Sequence, residues 1–243
     1  MAYSHPLWVS QTLLAAMGVQ IYVDYQNRIP TDTAVIVVSN HRSFLDPLVL
    51  MSALQHSVRT ACHHYMGQVP LMRDMVNLLG AFPLADPEQR QQTFLRQAAA
   101  LLQSRQWVAI FPEGAQPMVR LTSPYEIESF HRGFAHLALR ADVPNLAILP
   151  VAIASQEEST SPAIPLRLLG LFDPSEPLFA RDGWHPVVTY QQVRVLCGRP
   201  YWLTAQQYQQ YRGKQAKQIV NRLTEYCRSE ILELLKASAK TQI

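Results

Sequence analysis

Charged residues are scarce in this chain. Only 16% of its 243 residues are Asp, Glu, Lys or Arg, and the formal net charge is +3. Nucleic-acid-binding proteins usually carry a larger basic excess, so we do not expect nucleic acid as a partner. The mild positive charge is compatible with a peripheral protein that rests on anionic lipid.

Cysteine is also rare, and its spacing argues against cysteine-based sites. Cys62, Cys197 and Cys227 are widely separated and include no Cys-x-x-Cys pair. The pattern therefore predicts neither a zinc site nor a redox site, and it suits a reducing cytosolic setting. His63 and His64 would point to opposite faces of a strand, so we interpret them as structural or surface residues and expect no metal site.

The sequence lacks the motifs of several large enzyme classes. It contains no G-x-S-x-G, G-x-G-x-x-G, P-loop or H-E-x-x-H pattern, and no internal repeat or heptad array. With 48% hydrophobic residues the chain can bury a substantial core. We therefore expect one domain over residues 24–243.

The first 23 residues contain no charged side chain except histidine. They predict an apolar helix from Leu7 to Val23, which is shorter than the ~20 residues needed to span a bilayer. No basic segment or small-residue cleavage site accompanies it, so we do not expect a signal peptide. Two interpretations stay open: the helix is an anchor lying in the membrane interface, or it packs on the core of its own domain.

Apolar runs and helical periodicities alternate along the rest of the chain. This alternation predicts an α/β fold with a central, mostly parallel sheet flanked by helices, an N-terminal apolar helix and a long C-terminal helix. Residues 156–186 are rich in proline and predict a long irregular insertion, whose apolar side chains face lipid, an acyl chain or the edge of the core. The predicted strands cover residues 34–38, 58–65, 81–84, 107–111, 145–154 and 187–197, and the predicted helices cover 44–54, 70–79, 87–104, 130–140 and 204–239.

The stretch Ser39–Asp46 directly follows the most strongly predicted buried strand. A carboxylate five residues after a histidine can accept a hydrogen bond from one ring nitrogen and leave the other free to take a proton, as a general base requires. His41 is then the base and Asp46 its orienting partner. The alternative is that Ser39 or Asn40 caps the following helix, while Asp46 serves only the electrostatics of its first turn.

Four short motifs resemble those of the glycerolipid acyltransferases, the family of the lysophosphatidic acid acyltransferases. The resemblance covers roughly residues 35–151 and rests on the order and spacing of the set. The motifs are Asn40-His41-Arg42-Ser43-Phe44-Leu45-Asp46, Phe111-Pro112-Glu113-Gly114, Phe130-His131-Arg132-Gly133 and Leu149-Pro150-Val151.

The resemblance implies transfer of a fatty acyl group from acyl-CoA or acyl carrier protein to a lipid hydroxyl, with 1-acylglycerol-3-phosphate as one candidate acceptor. It implies no cofactor beyond the donor, and a peripheral position on the cytoplasmic face of a membrane. His41 and Asp46 take the catalytic roles, and Glu113 and Gly114 contact the acceptor. The supporting residues are Asn40, Ser43, Phe111, Pro112 and Arg132.

Two departures from the family pattern concern the acceptor. Asp86 and Gln116 stand where the family has arginines, which are the natural bidentate partners of a phosphate. The sequence therefore keeps open an acceptor without a phosphomonoester. It also leaves two alternative functions open: an acyl-thioester hydrolase, and a catalytically silent relative that binds membranes.

Overall fold

The computed structural model describes residues 5–62, 74, 76, 78–83, 90–114, 117, 122–165 and 184–240. Strands and helices alternate along these segments. The strands are β1 (Gln20–Asp24), β2 (Val35–Ser39), β3 (Val58–Cys62), β4 (Phe82–Pro83), β5 (Trp107–Ile110), β6 (Ala147–Pro165), β7 (Trp184–Cys197) and β8 (Tyr201–Trp202). The helices are α1 (His5–Ala16), α2 (Asp46–Leu54), α3 (Arg90–Gln103), α4 (Gly133–Arg140), α5 (Ala205–Arg212) and α6 (Ala216–Lys240), with a short 3-10 turn at Gln26–Arg28.

The strands form one sheet in the order β1-β7-β6-β2-β5-β3-β4, with β8 paired to β6. Neighbouring strands run parallel except in the β6–β7 and β6–β8 pairs. The predicted α/β fold with a mostly parallel sheet and a long C-terminal helix, α6, is confirmed.

Strand β2 lies at the centre of the hydrophobic core. Val35 and Val37 pack with α1 and α2 on one face, whereas Ile36 and Val38 pack with α3, α4 and α6 on the other. All five residues of β2 are buried. A strand covered by helices on both faces needs apolar side chains at every position, which explains its uninterrupted run of apolar residues up to Ser39.

The carboxyl ends of β2 and β5 lie side by side because these strands are parallel neighbours, with Val38 opposite Ile110. On its other side β2 pairs with β6, with Ser39 opposite Val151. The chain segments that follow β2 and β5 therefore meet at one edge of the sheet, which is where α/β folds place their ligands.

The predicted helix over residues 7–23 is wrong from residue 17 onward. Helix α1 ends at Ala16, and Gly18 adopts a left-handed conformation with φ of 72° that ends the helix. Residues 20–24 form β1, whose Ile21 and Val23 face the core. Alternation of apolar and polar side chains over Val19–Val23 is the signal that distinguishes this strand from a helix. Within the segments described, no helix is long and apolar enough to cross a membrane.

The irregular insertion predicted for residues 156–186 is instead largely strand at both ends. β6 continues to Pro165 and β7 begins at Trp184, so the two strands form an antiparallel ribbon that extends past the rest of the sheet. Each strand of a two-stranded ribbon has one unpaired edge, and proline at that edge costs no ladder hydrogen bond. Pro162 and Pro186 are paired in this ribbon. Residues 166–183 lie outside the described residues.

The single helix predicted for residues 204–239 is interrupted. α5 ends at Arg212 and α6 begins at Ala216, with Gly213 between them. Glycine has no side chain to pack and is a poor helix former, which accounts for the break.

Candidate active site

His41 and Asp46 form a hydrogen-bonded pair at the carboxyl end of β2. Nδ1 of His41 lies 2.8 Å from Oδ2 of Asp46. Because an ionised carboxylate only accepts hydrogen bonds, Nδ1 carries the proton and Nε2 presents a lone pair. Nε2 makes no hydrogen bond to any residue that the structure describes. The His41 side chain is 14% exposed and that of Asp46 is fully buried, so the histidine is the accessible member of the pair.

The carboxylate of Asp46 accepts hydrogen bonds at both oxygens. Oδ2 also accepts from the backbone amides of Arg42 and Ser43, at 2.7 and 2.9 Å. Oδ1 accepts from the hydroxyl of Tyr190 at 2.6 Å. Burial and the adjacent Asp46 raise the pKa of Tyr190 well above its usual value, so the phenol keeps its proton and donates. Four donors thus satisfy the hydrogen-bonding capacity of a carboxylate whose burial would otherwise be costly.

The loop after β5 supports His41 from a second direction. The ring of Phe111 stacks on the imidazole, with centroids 4.2 Å apart and planes inclined by 16°. Glu113 is 3% exposed and accepts hydrogen bonds from the backbone amides of His41 and Glu128, at 3.0 and 2.6 Å. Burial raises the pKa of Glu113, although these two backbone hydrogen bonds oppose the shift.

Gly114 and Pro112 shape the turn beside the histidine. Gly114 has φ of 71°, in the left-handed region that favours glycine, and its amide closes the turn on the carbonyl of Phe111 at 3.1 Å. No described atom lies within 4 Å of where a Cβ of Gly114 would stand. The Pro112 carbonyl accepts from the His131 amide at 2.9 Å. The loop after β5 is thus held by a tight turn at Gly114 and by the contact between Pro112 and His131.

The side chains of Asn40 and Ser43 form hydrogen bonds with the backbone of strands β6 and β7. The amide of Asn40 exchanges two hydrogen bonds with the backbone of Ile153 on β6, at 2.9 and 2.8 Å. The Ser43 hydroxyl donates to the carbonyl of Val188 at 2.6 Å and accepts from the amide of Leu45 at 3.1 Å. Both side chains thus fix the loop that carries His41.

The family model described as Acyltransferase matches residues 20–154, which is more than half of the chain. The chain belongs to the acyltransferase family. The matched segment contains all the site residues discussed so far except Tyr190 and Val188.

Two curated relatives of this acyltransferase-family chain were found. One is the chloroplastic 1-acyl-sn-glycerol-3-phosphate acyltransferase LPAT1 of Arabidopsis thaliana, which is 27% identical over 60% of this chain and 39% of its own length. The other is a probable 1-acyl-sn-glycerol-3-phosphate acyltransferase of Mycoplasma pneumoniae, 29% identical over 56% of this chain and 50% of its own length. The chain thus spans half or less of the curated relatives that it matches.

A solved structure supports the fold of the acyltransferase chain. The crystal structure of the 1-acyl-sn-glycerophosphate acyltransferase PlsC from Thermotoga maritima superimposes with a TM-score of 0.63 over 97% of this chain and 79% of that one. The two sequences are 17% identical. The similarity therefore extends beyond the residues of the family match to nearly the whole fold.

Sequence reasoning missed three side chains that hold the loop carrying His41 in place. Arg42 forms a bidentate pair with Glu158 and also donates to the carbonyl of Thr122; its Nε lies 2.6 Å from Oε2 of Glu158. Tyr190 is the third. Arg42 stands inside the first motif and could have been singled out there, whereas Glu158 and Tyr190 have no local signal because they are more than 100 residues away in sequence.

Some predicted site features remain untested. Arg132 is exposed at the N-terminal end of α4, and the described hydrogen bonds do not connect its side chain to the dyad. The acceptor-binding roles of Glu113 and Gly114 stay predictions. Asp86, Gln116, His63 and His64 lie outside the described residues. In the part of the chain that is described, no three His, Cys, Asp or Glu side chains come together as a metal site.

Proposed function

We propose that this chain is an O-acyltransferase that moves a fatty acyl group from an acyl thioester, carried by coenzyme A or acyl carrier protein, to a hydroxyl of a glycerolipid acceptor. The observation that carries the proposal is the oriented pair of His41 and Asp46 in an acyltransferase-family fold. Nδ1 is held by the carboxylate, and Nε2 is free among the described residues to act as a general base.

The chemistry proceeds by direct transfer. Nε2 of His41 takes the proton of the acceptor hydroxyl while the hydroxyl oxygen attacks the thioester carbonyl carbon. The tetrahedral intermediate collapses with cleavage of the carbon–sulfur bond, and the imidazolium returns its proton to the departing sulfur. The products are the ester and the free thiol. Asp46 stabilises the transient imidazolium and holds the ring in its productive tautomer.

Ser43 is a poor candidate for a covalent nucleophile. Ser43 is 1% exposed, and its hydroxyl is hydrogen-bonded to the carbonyl of Val188 and the amide of Leu45. The proposal therefore contains no acyl-enzyme intermediate, and the acceptor hydroxyl is the only nucleophile.

The acceptor belongs to the class of lysoglycerolipids. The printed names of both curated relatives refer to 1-acyl-sn-glycerol-3-phosphate, which supports a glycerol hydroxyl next to an esterified chain. The replacement of the family arginines by Asp86 and Gln116 supports a site that does not depend on a phosphomonoester.

The enzyme acts at the cytoplasmic face of a membrane without spanning it. One side of α1 packs on α2, through Ser10 and Met51 among others, while Trp8, Leu13 and Met17 remain exposed. An exposed tryptophan on a short apolar helix suits the boundary between headgroups and acyl chains. The two interpretations of the N-terminal helix are therefore compatible, since α1 can pack on the core and still touch lipid.

The direct test is to incubate the purified protein with a labelled acyl thioester and a panel of lysolipids and to identify the products. Formation of a diacyl lipid that depends on the acceptor is the expected result. Release of free fatty acid at the same rate without any acceptor would instead indicate a thioesterase. No consumption of any acyl thioester would indicate the catalytically silent relative.

A further inference from the structure

Residues of the β6–β7 ribbon contact the loop that carries His41 at three points. The Val188 carbonyl accepts from the Ser43 hydroxyl, the Tyr190 hydroxyl donates to Asp46, and Glu158 pairs with Arg42. All three ribbon residues follow residue 154, where the family match ends. The ribbon thus supplies contacts that the motifs do not encode.

Tyr190 has a distinct place among the donors to Asp46. The other donors, which are the imidazole of His41 and the amides of Arg42 and Ser43, all belong to the same loop and all reach Oδ2. Tyr190 alone among the described residues reaches Oδ1, across 144 residues of sequence. Its side chain is buried, with 3% exposure, so solvent does not compete for this hydrogen bond.

We propose that Tyr190 is a positioning residue for acyl transfer: its hydroxyl completes the hydrogen bonds of Asp46 and thereby fixes both the orientation and the proton affinity of the His41–Asp46 pair. The inference rests on the proposed role of His41 as general base. It adds a determinant from the ribbon to a site otherwise built from loops after β2 and β5.

The effect on protonation has a definite sign. The charged and titratable groups around Asp46 are His41 and Arg42 from its own loop, Tyr190 from β7 and Glu158 from β6. The charge of Glu158 is balanced by its ion pair with Arg42. From the loop after β5, Glu113 accepts a hydrogen bond from the backbone amide of His41. The active form of the pair, with anionic Asp46 and neutral His41, carries one negative charge, and adding a proton removes it.

Loss of the Tyr190 hydroxyl destabilises the negatively charged form of the pair more than the protonated form. This holds whether the proton goes to Asp46, which then loses its charge, or to His41, because the Tyr190 O–H points its positive end at the pair in both cases. The acid limb of the pH–rate profile therefore moves to higher pH. A purely structural contact would lower the amount of folded enzyme without moving this limb.

The test compares Tyr190→Phe with the parent, measuring kcat and KM for donor and acceptor from acid to neutral pH. We expect kcat to fall about tenfold or more at neutral pH, within the range that general-base catalysis contributes. We expect both KM values to stay within about twofold, and the acid limb to move up by about one pH unit, as for the loss of one hydrogen bond to a charged group. The matched control is Tyr208→Phe, which removes a phenol hydrogen bond to the Val143 carbonyl, 3.0 Å long, outside the site. It should leave the profile unchanged.

A second substitution keeps the test independent of folding. Replacing Tyr190 with 3,5-difluorotyrosine keeps the ring and makes the phenol a stronger donor, so the acid limb should move to lower pH. The proposal is overturned if Tyr190→Phe keeps the parent rate and limb, if its loss is uniform across pH, or if the fluorinated protein shows no shift. His41→Ala, assayed in parallel, separates the two ideas. Full activity of His41→Ala removes the proposed base, whereas an inactive His41→Ala with an unshifted Tyr190→Phe removes only the role of Tyr190.

Discussion

At the scale of single residues, backbone amides hold the candidate site in place as much as side chains do. Asp46 and Glu113 are both buried, and each accepts hydrogen bonds from two backbone amides, which hold the peptide on either side of His41. Buried carboxylates are costly unless such donors satisfy them. These two acidic residues therefore determine the shape of the loop in addition to any contact with substrate.

The acceptor preference can be predicted from the two missing arginines. A phosphomonoester carries close to two negative charges near neutral pH, and its desolvation without a paired cation is unfavourable. We expect the parent to prefer lysophosphatidic acid over a neutral or choline-headed lysolipid by less than about a hundredfold in kcat/KM, which corresponds to about 2.7 kcal/mol. The double variant Asp86→Arg with Gln116→Arg should raise that ratio.

The ratio of the two kcat/KM values, measured in the parent and the double variant, checks this expectation. The single variant Asp32→Arg is a suitable control, because Asp32 lies at the opposite edge of the sheet in a hollow of about 560 Å³ that also contains Arg105 and Trp202. A parent that already prefers lysophosphatidic acid by more than a hundredfold would mean that other cations bind the phosphate.

The site residues found from sequence are those close to one another in the chain. His41 and Asp46 are five positions apart, so their pairing follows from local geometry and a short loop. The Glu113 turn was found because it follows a recognisable strand and resembles a family motif. Its contact with the amide of His41 was not foreseeable, since hydrogen bonds to backbone groups leave no mark in the sequence. Glu158 was missed because it lies in residues 156–186, which the sequence predicts to be irregular. Tyr190 lies in the strand predicted for residues 187–197, but nothing in the sequence indicates that its hydroxyl reaches Asp46.

At the scale of elements, the β6–β7 ribbon is the unexpected feature. Its prolines and β-bulges conceal the strand pattern, and its pairing depends on contacts between distant parts of the chain. Strand β1 was missed for the same reason, because its pairing with β7 joins parts of the chain that are distant in sequence. Taken alone, its residues resemble the end of an apolar helix. By contrast, β2 is buried on both faces and could be located from its composition alone.

The ion pair between Arg42 and Glu158 should stabilise the fold by holding the β6–β7 ribbon against the loop that carries His41. Burial alone would raise the pKa of Glu158, but the hydrogen bond and charge of Arg42 lower it below its usual value. We expect Glu158→Gln to reduce the free energy of unfolding by about 1–3 kcal/mol at neutral pH, as for the loss of a charge-assisted hydrogen bond. Urea unfolding measures the difference.

The pH dependence of this effect follows from the direction of the shift. A carboxylate with a lowered pKa in the folded state contributes stability that is present above its unfolded pKa and is lost as pH falls through the folded pKa. The parent and Glu158→Gln should therefore converge in stability under acid conditions. Glu157→Gln, an exposed neighbour on the same strand, is the control and should change little at any pH. A constant difference between parent and Glu158→Gln down to low pH would contradict the ion-pair account.

At the scale of the whole molecule, the candidate site and the hollow lie at opposite edges of the sheet. The dyad, the Glu113 turn and the ribbon contacts lie at the carboxyl ends of the parallel strands, while the hollow with Asp32 and Arg105 lies at the opposite end. Helix α1 covers the face that α2 also covers, and α2 begins at Asp46 itself. A membrane that touched α1 would therefore lie near α2, whose first residue, Asp46, contacts the imidazole of His41.

Membrane binding should depend on the exposed side chains of the N-terminal segment. Removal of residues 1–23 is an unsuitable test, because it would also remove most of β1 from the sheet. We expect Trp8→Gln combined with Met17→Gln to weaken flotation with anionic liposomes at least tenfold, while turnover on a short-chain, water-soluble acceptor is retained. The control is Trp202→Gln, which changes a similarly exposed aromatic residue at the other edge. Unchanged flotation of the double variant would show that α1 serves only the core.

The central claim is that His41 is the general base of acyl transfer, and one measurement tests it most directly. The rate of acyl transfer from a labelled acyl thioester to a lysolipid is compared between the parent, His41→Ala and the exposed control His5→Ala, after circular dichroism has shown that all three are folded. We expect His41→Ala to lose about 10²–10⁴ in rate and His5→Ala to match the parent. Near-parental transfer by folded His41→Ala would contradict the account.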